Sequence, residues 1–355
     1  MVKKLNITLF GDYNINVKRG IVLYLFLFIF DIIKVDGDNM KYVLLLLGLV
    51  AIVKASDVVV NAASSLATRL RVPKMIIALT IMAFGTCIPE LAISFQSIRV
   101  GNGAMALANV IGSCIVNVFL IIGLAALVRP IRIQKITIRK ELPILLIITA
   151  ALMVLVLDKL YLSQYLGSAL NRDDGIILLM IFGIFVVYII NVVRKNRDYS
   201  APDIIKYTTF KSILYLVLAI VVITVASDVV VDNAVLIASD LGISEKIITL
   251  VVIVIGTSLP EMVMTVTSAR KNEFELAVGN IIGTNIFNIG VVLGLPIAVF
   301  GKLKIVEFNL VDLIFLLLSS IIFFQFSKSD RKITRIEGIA MLLIFALYYV
   351  YAILY

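Results

Sequence analysis

The chain contains no histidine and no tryptophan. Without imidazole there is no histidine metal ligand, general base or proton relay. Only two cysteines occur, Cys87 and Cys114, both inside apolar runs. A disulfide framework is therefore not expected, and no zinc-ligand spacing is present. Charge is sparse: charged residues make up 15% of the 355 residues and hydrophobic ones 61%. With a mean hydropathy of +1.10, this composition belongs to integral membrane proteins. A net charge of +9 raises the question of nucleic acid, but the excess lies in the loops of one side, which makes it a topology signal.

What is present is a series of apolar runs. Spans are expected near residues 41–66, 73–98, 104–128, 142–162 and 175–193, then, after a polar connector at 194–211, near 212–238, 246–269, 275–300, 309–327 and 335–354. Length and the lack of any alternating barrel pattern make all ten helical. Residues 1–39 form an extension carrying a short apolar segment at about 21–35. It reads as a signal-anchor, a signal peptide, or sequence upstream of a natural start at Met40. The loops after spans 1, 3, 5, 7 and 9 hold most of the Lys and Arg, among them Arg69, Arg132, Lys135, Arg194, Arg270 and Arg331. The positive-inside rule then places the 194–211 connector in the cytoplasm and the protein, multi-pass, in the cell membrane.

Two halves, 40–200 and 201–355, align without a gap at an offset of 171. Ala55-Ser56-Asp57-Val58 returns as Ala226-Ser227-Asp228-Val229, and Gly85-Thr86 with Pro89-Glu90 returns as Gly256-Thr257 with Pro260-Glu261. Asn109-Val110-Ile111-Gly112 returns as Asn280-Ile281-Ile282-Gly283, and Asn117 as Asn288. Chance matches in apolar sequence fall on Val, Ile and Leu rather than on Pro, Glu, Asn and Gly. Five spans separate the copies, and an odd number inverts the second relative to the membrane. The fold class expected is thus an all-α polytopic membrane protein of ten transmembrane helices in two inverted five-helix repeats. A duplicated bundle without a transport role is the plain alternative.

Each motif places a carboxylate deep in an apolar run, at a cost of several kcal/mol unless it faces a polar path or a partner. Proline just before the glutamate cannot donate to the helix ladder, which frees a carbonyl near Gly85 and Gly256. Opened backbone at that depth must be buried in protein or line a cavity. Thr86 and Glu90, like Thr257 and Glu261, are four apart and are expected on one helix face. Asn109, Ser113 and Asn117, and Asn280, Thr284 and Asn288, also step by four, a spacing that serves either helix packing or ligation. Carboxylates, hydroxyls and amide oxygens suit Ca²⁺ and Na⁺. Two glutamates balance one Ca²⁺ or two Na⁺, the charge arithmetic of an exchanger. Asp57, three residues from Lys54, is expected in an ion pair within its own helix. The tyrosines from Tyr348 to Tyr355 read as an interfacial belt.

GTCIPE with NVIGSCIVN, and GTSLPE with NIIGTNIFN, resemble the two alpha-repeats of the cation/calcium exchanger superfamily, specifically its compact prokaryotic sodium/calcium exchangers. The resemblance runs from Met40 onward. It implies ten helices in two inverted halves, with helices 2, 3, 7 and 8 forming the ion core and helices 1 and 6 sliding to gate access. It implies Glu90 and Glu261 as central ion ligands, Thr86 and Thr257 as flanking hydroxyls, Ser258 as the serine that follows, and Ser113 and Asn117 as ligands on helix 3. Ala83 and Val254 fall where the family offers backbone carbonyls. Cys87 replaces the serine usual after the first threonine, a poorer mimic of oxygen, and Thr284 replaces another serine. Asn288 stands where some members have aspartate, which argues against K⁺ co-transport. The large regulatory loop of animal exchangers is missing.

The expected function is electrogenic exchange of Na⁺ for Ca²⁺, both ions being substrates. No cofactor, nucleic acid or obligate protein partner is expected beyond the bilayer. Proton-coupled exchange of Ca²⁺ or another divalent ion is the alternative, and a cation channel is a more distant one. An enzyme is not expected, since no histidine, matched pair of catalytic aspartates or nucleophile with a base is present.

Overall fold

The structure is a computed structural model that describes residues 40–101, 103–161, 169–195, 206–243, 254–304 and 310–354. The extension at 1–39 and most of the 194–211 connector lie outside the described residues. Low charge and long apolar runs leave the backbone one way to satisfy its own N–H and C=O groups in lipid, which is the helix. Among the described residues twelve helical segments follow. α1 is Met40–Leu70, α2 Lys74–Thr86, α3 Ile88–Arg99, α4 Gly103–Val128, α5 Thr137–Asp158 and α6 Arg172–Lys195. α7 is Thr209–Asp240, α8 Val254–Thr257, α9 Leu259–Arg270, α10 Phe274–Phe300, α11 Leu310–Lys328 and α12 Arg335–Leu354.

Among the described residues eight helices are long and apolar enough to cross a membrane, and a ninth span results if α2 and α3 count as one. The span expected at 246–269 falls partly outside the described residues and is represented by α8 and α9. The protein is thus a helical, multi-pass integral membrane protein. The other regular structure described is two short antiparallel strand pairs. β1 (Ile131–Arg132) pairs with β4 (Lys332–Ile333), and β2 (Ala169–Asn171) with β3 (Lys302–Lys304).

Burial ranks the helices. In α4 and α10 the most apolar stretch is 78% and 83% buried, against 17% in α6 and 22% in α12. α4 and α10 therefore stand at the centre, and α6 and α12 face lipid. α1 and α7, of 31 and 32 residues, pack against each other along their lengths. At about 1.5 Å per residue each is longer than a hydrocarbon core of roughly 30 Å. Close approach at the centre depends on small residues. A Cβ on Gly283 of α10 would lie 2.8 Å from the Leu79 Cα and 2.9 Å from the Ala83 Cβ of α2.

Three sequence expectations change. Asp57 does not depend on Lys54: its Oδ1 lies 2.9 Å from Lys271 Nζ and 3.2 Å from Arg270 Nη2, beyond the end of α9 and at its last residue. Packing of α1 on α9 brings these cations to the carboxylate, and spacing within one helix carries no information on that. Thr86 and Glu90 do not share one helix, because α2 ends at Thr86 and α3 begins at Ile88. Tyr348 is buried rather than interfacial, and its hydroxyl donates to Asp312 Oδ1 at 2.9 Å.

Candidate cation site

The site is built from two helix breaks. Pro89 and Pro260 each occupy the second position of a helix, α3 and α9, where the missing N–H costs nothing. The residues that precede these helices, Cys87 (φ −82°, ψ 0°) and Ser258 (φ −91°, ψ 8°), leave helical geometry for the bridge region. α2 and α3 consequently meet at a bend of 48°. Each break places a glutamate, Glu90 or Glu261, in the first turn of the helix that follows, where unpaired N–H groups favour an anion.

Both glutamates are completely buried. Their charges act on each other, and Asp228 of α7 lies near enough to act on Glu90. Among the described residues none of the four oxygens of Glu90 and Glu261 has a hydrogen-bond partner. Buried carboxylates are normally paired, since an isolated one is very costly. Unpartnered Oδ1 atoms of Asn117 and Asn288 and Oγ1 of Thr284 add to the inventory of buried oxygens.

A hydrogen-bond chain orients these oxygens. Asn285 Nδ2 donates to the Cys114 carbonyl at 3.3 Å, which leaves Asn285 Oδ1 as an acceptor. Asn117 therefore presents its Nδ2 to Asn285, at 2.9 Å, and keeps its own Oδ1 free. Asn288 Nδ2 reaches Ser113 Oγ at 3.5 Å, and Ser113 Oγ lies 3.2 Å from Ser258 Oγ at the second break. In Asn117 and Asn288 the amide nitrogen is spent on protein and the amide oxygen is left over. Asn117 and Asn288 also sit in wide π-helical turns, Val116–Ile122 and Asn288–Leu293. Such turns are frequent at functional sites.

The remaining expected residues fall as follows. Thr86 is buried beside Glu261 and directs its hydroxyl to the carbonyls of Ala83 (3.2 Å) and Met82 (3.4 Å). The Ala83 carbonyl also accepts the Cys87 N–H at 3.2 Å, so both of its lone pairs are engaged. Cys87, fully buried near both glutamates, points its thiol to the Thr284 carbonyl at 3.9 Å. Thr257 closes α8 just before the Ser258 break, and Val254 opens the same helix. Asn280 is drawn into a bond from its Nδ2 to Thr265 Oγ1 at 3.1 Å. Its repeat counterpart Asn109 leaves Nδ2 without a partner among the described residues, as does Ser94 Oγ.

Sequence reasoning passed over Asn285. The signal was there, a second asparagine in the apolar run NIIGTNIFN, but the four-residue step that picked out Asn280, Thr284 and Asn288 skips it. Among the described residues no group of three or more His, Cys, Asp or Glu converges. The donor set is oxygen, suited to hard cations.

The fold is that of a multi-pass helical membrane protein with two buried carboxylates at its centre. The chain belongs to the sodium/calcium exchanger protein family, whose model matches residues 40–191 and 211–354. It is 37% identical over 262 residues to the inner membrane protein YrbG of Escherichia coli, covering 71% of this chain and 78% of that one. It is 30% identical over 350 residues to the sodium/calcium exchanger MaX1 of Methanosarcina acetivorans, covering 88% of this chain and 98% of that one. Among solved structures it is similar to the sodium-calcium exchanger NCX_Mj, with a TM-score of 0.74 at 29% identity over 89% of this chain and 99% of the other.

Proposed function

We propose that this protein exchanges Na⁺ for Ca²⁺ across the cell membrane by alternating access, with the ions held around Glu90 and Glu261. The observation that carries the reading is the burial of four carboxylate oxygens without a hydrogen-bond partner among the described residues. Two negative charges in a low-dielectric interior need either one Ca²⁺ or two Na⁺, so the loaded forms are the ones able to cross. Oδ1 of Asn117 and Asn288, with Ser113, Thr284, Ser258, Thr86 and Thr257, complete the proposed ligand set; Val254 offers a carbonyl, and Ala83 does so once its carbonyl gives up its bond from Thr86 or Cys87. Membership in the family and the names of MaX1 and NCX_Mj support Na⁺ and Ca²⁺ as the ions.

The architecture proposed is ten spans in two inverted repeats, 40–200 and 201–355, with the 194–211 connector in the cytoplasm. The two repeat-related faces of the centre differ. On the α9 face, Thr265 is bonded to Asn280, Ser56 Oγ lies 2.8 Å from Thr267 Oγ1, and Asp57 holds Arg270 and Lys271. On the α3 face, Ser94 Oγ and Asn109 Nδ2 have no partner among the described residues. This asymmetry supports a state closed toward the basic, cytoplasmic side.

The test is ⁴⁵Ca²⁺ uptake into proteoliposomes loaded with Na⁺, against K⁺- and choline-loaded controls, with and without a pH gradient. Uptake that requires internal Na⁺ and ignores pH is the expected result. Uptake driven by the pH gradient alone overturns Na⁺ coupling in favour of protons, and Ca²⁺ current without counter-ion flux overturns exchange in favour of a channel.

A further inference from the structure

The loop between α4 and α5 and the loop between α11 and α12 are joined by the β1–β4 pair, Ile131 opposite Ile333 and Arg132 opposite Lys332. Ile133 N adds a bond to the Arg331 carbonyl at 2.8 Å. The inward residues Ile131, Ile133 and Ile333 are buried and anchor the pair to the helix ends. On the outer side lies a shallow cavity of about 570 Å³, lined by Arg132, Gln134, Lys135, Asp330, Arg331 and Lys332 among others. The lining holds four cations and one carboxylate, and Gln134 donates to a second carboxylate beside it, that of Glu275. Among the described residues none of the four is in an ion pair.

A topology signal needs only basic residues in the loop, whatever their conformation. Here the cations are held on a scaffold that carries strain. Asp330 (φ 49°) and Arg331 (φ 53°) are both left-handed without being glycine. Consecutive non-glycine residues in that region persist where surrounding structure imposes them, and they cluster at ligand clamps. The turn they form supplies the Arg331 carbonyl to Ile133 and so keeps the two basic loops together.

The position of the cavity selects the ligand. It lies where the membrane-crossing helices α4 and α11 end and α5 and α12 begin, and the ends of spanning helices are where lipid headgroups meet a protein. Apolar side chains stand exposed on the same helix ends, with Val128 at 45%, Ile136 at 43% and Ile336 at 79% exposure. Unpaired cations with apolar side chains toward the membrane complement a phosphodiester that has acyl chains attached. Basic pockets at helix ends on this side of a membrane bind anionic headgroups. We propose that the β1–β4 cavity is a binding site for the headgroup of an anionic phospholipid, apart from the Glu90 and Glu261 centre.

The full chain, purified in detergent and stripped of lipid, is titrated with phosphatidylglycerol, phosphatidylcholine or inorganic phosphate and followed by native mass spectrometry. The expected result is saturable binding of phosphatidylglycerol. In Arg132→Gln/Lys332→Gln it should be weaker by a factor on the order of ten, and it should be unchanged in Arg194→Gln/Lys195→Gln, which removes two exposed cations of the same membrane side. Equal binding by Arg132→Gln/Lys332→Gln, equal loss in the Arg194/Lys195 control, or equal binding of phosphatidylcholine overturns the proposal. Inorganic phosphate that competes at the same concentration as the lipid also overturns it, in favour of a soluble anion. If the double variant does not insert, Lys135→Gln, outside the paired strands, carries the same comparison. The assay does not use ion exchange, so its outcome is independent of the transport reading.

Discussion

Ser113 Oγ on α4 and Ser258 Oγ at the break before α9 lie 3.2 Å apart, although 145 positions separate them in the chain. The contact joins the NVIGSCIVN motif of the first half to the GTSLPE motif of the second. The thiol of Cys87, in GTCIPE, reaches back to the carbonyl of Thr284, in NIIGTNIFN. Each helix break thus closes on the asparagine-bearing helix of the other half, so the centre exists only when both halves are assembled.

Replacing Glu90 or Glu261 with Gln should abolish exchange while leaving the protein inserted and monodisperse. The buried charge is removed without loss of volume, and no hydrogen bond among the described residues is broken. Wild type should gain stability with Ca²⁺, by about 2.7 kcal/mol at a hundredfold excess over the dissociation constant, and neither variant should respond. Thermal unfolding with and without Ca²⁺ measures this. Full transport in either variant would remove both glutamates from the proposed site.

Cys87→Ser should retain transport and change the apparent Ca²⁺ affinity several-fold. The thiol is fully buried near both glutamates and makes only a 3.9 Å contact, so a hydroxyl of similar size brings a harder oxygen at little packing cost. Concentration dependence of Na⁺-driven uptake is the readout. An unchanged half-saturating Ca²⁺ concentration would put Cys87 outside the ligand shell.

Asn285→Ala should destabilise the protein by about 1–3 kcal/mol, because Asn117 Nδ2 would be left buried without its partner and the bond to the Cys114 carbonyl would be lost. Affinity should fall as well, since Asn117 would no longer be held with its oxygen outward. Melting temperature and Ca²⁺ affinity measured on the same preparation separate this from packing loss alone, which lowers only the first.

Gly283→Ala should cost about 1–3 kcal/mol, because a Cβ there would press on the Leu79 Cα at 2.8 Å, and backbone cannot swing aside. Gly183→Ala, on lipid-facing α6 with nothing near the added carbon, is the control. Heating followed by size-exclusion chromatography should distinguish the two.

Oxidation of Ser56→Cys/Thr267→Cys should block exchange and reduction should restore it, because two hydroxyls 2.8 Å apart show that the side chains that would become thiols meet across α1 and α9. Asp57→Asn should change the exchange rate with little effect on stability. Its pairs with Arg270 and Lys271 are partly exposed, and such pairs contribute about 1 kcal/mol or less. Cross-linked protein that still exchanges at full rate would show that α1 and α9 need not separate.

The sequence by itself determined the membrane class, the recurrence at an offset of 171 and the two glutamates at its centre. These are local facts. Apolar runs of the right length have one stable form in lipid, and Pro, Glu, Asn and Gly are rare enough there for repetition to stand out. Only the tertiary structure decided which atoms meet. Asp57 pairs across to Arg270 and Lys271 rather than with Lys54, Asn285 orients Asn117, the Ala83 carbonyl is already engaged, and Arg132 lies opposite Lys332 across two loops 200 positions apart. Each of these depends on helix packing, which brings distant residues together in ways that spacing along one helix does not encode.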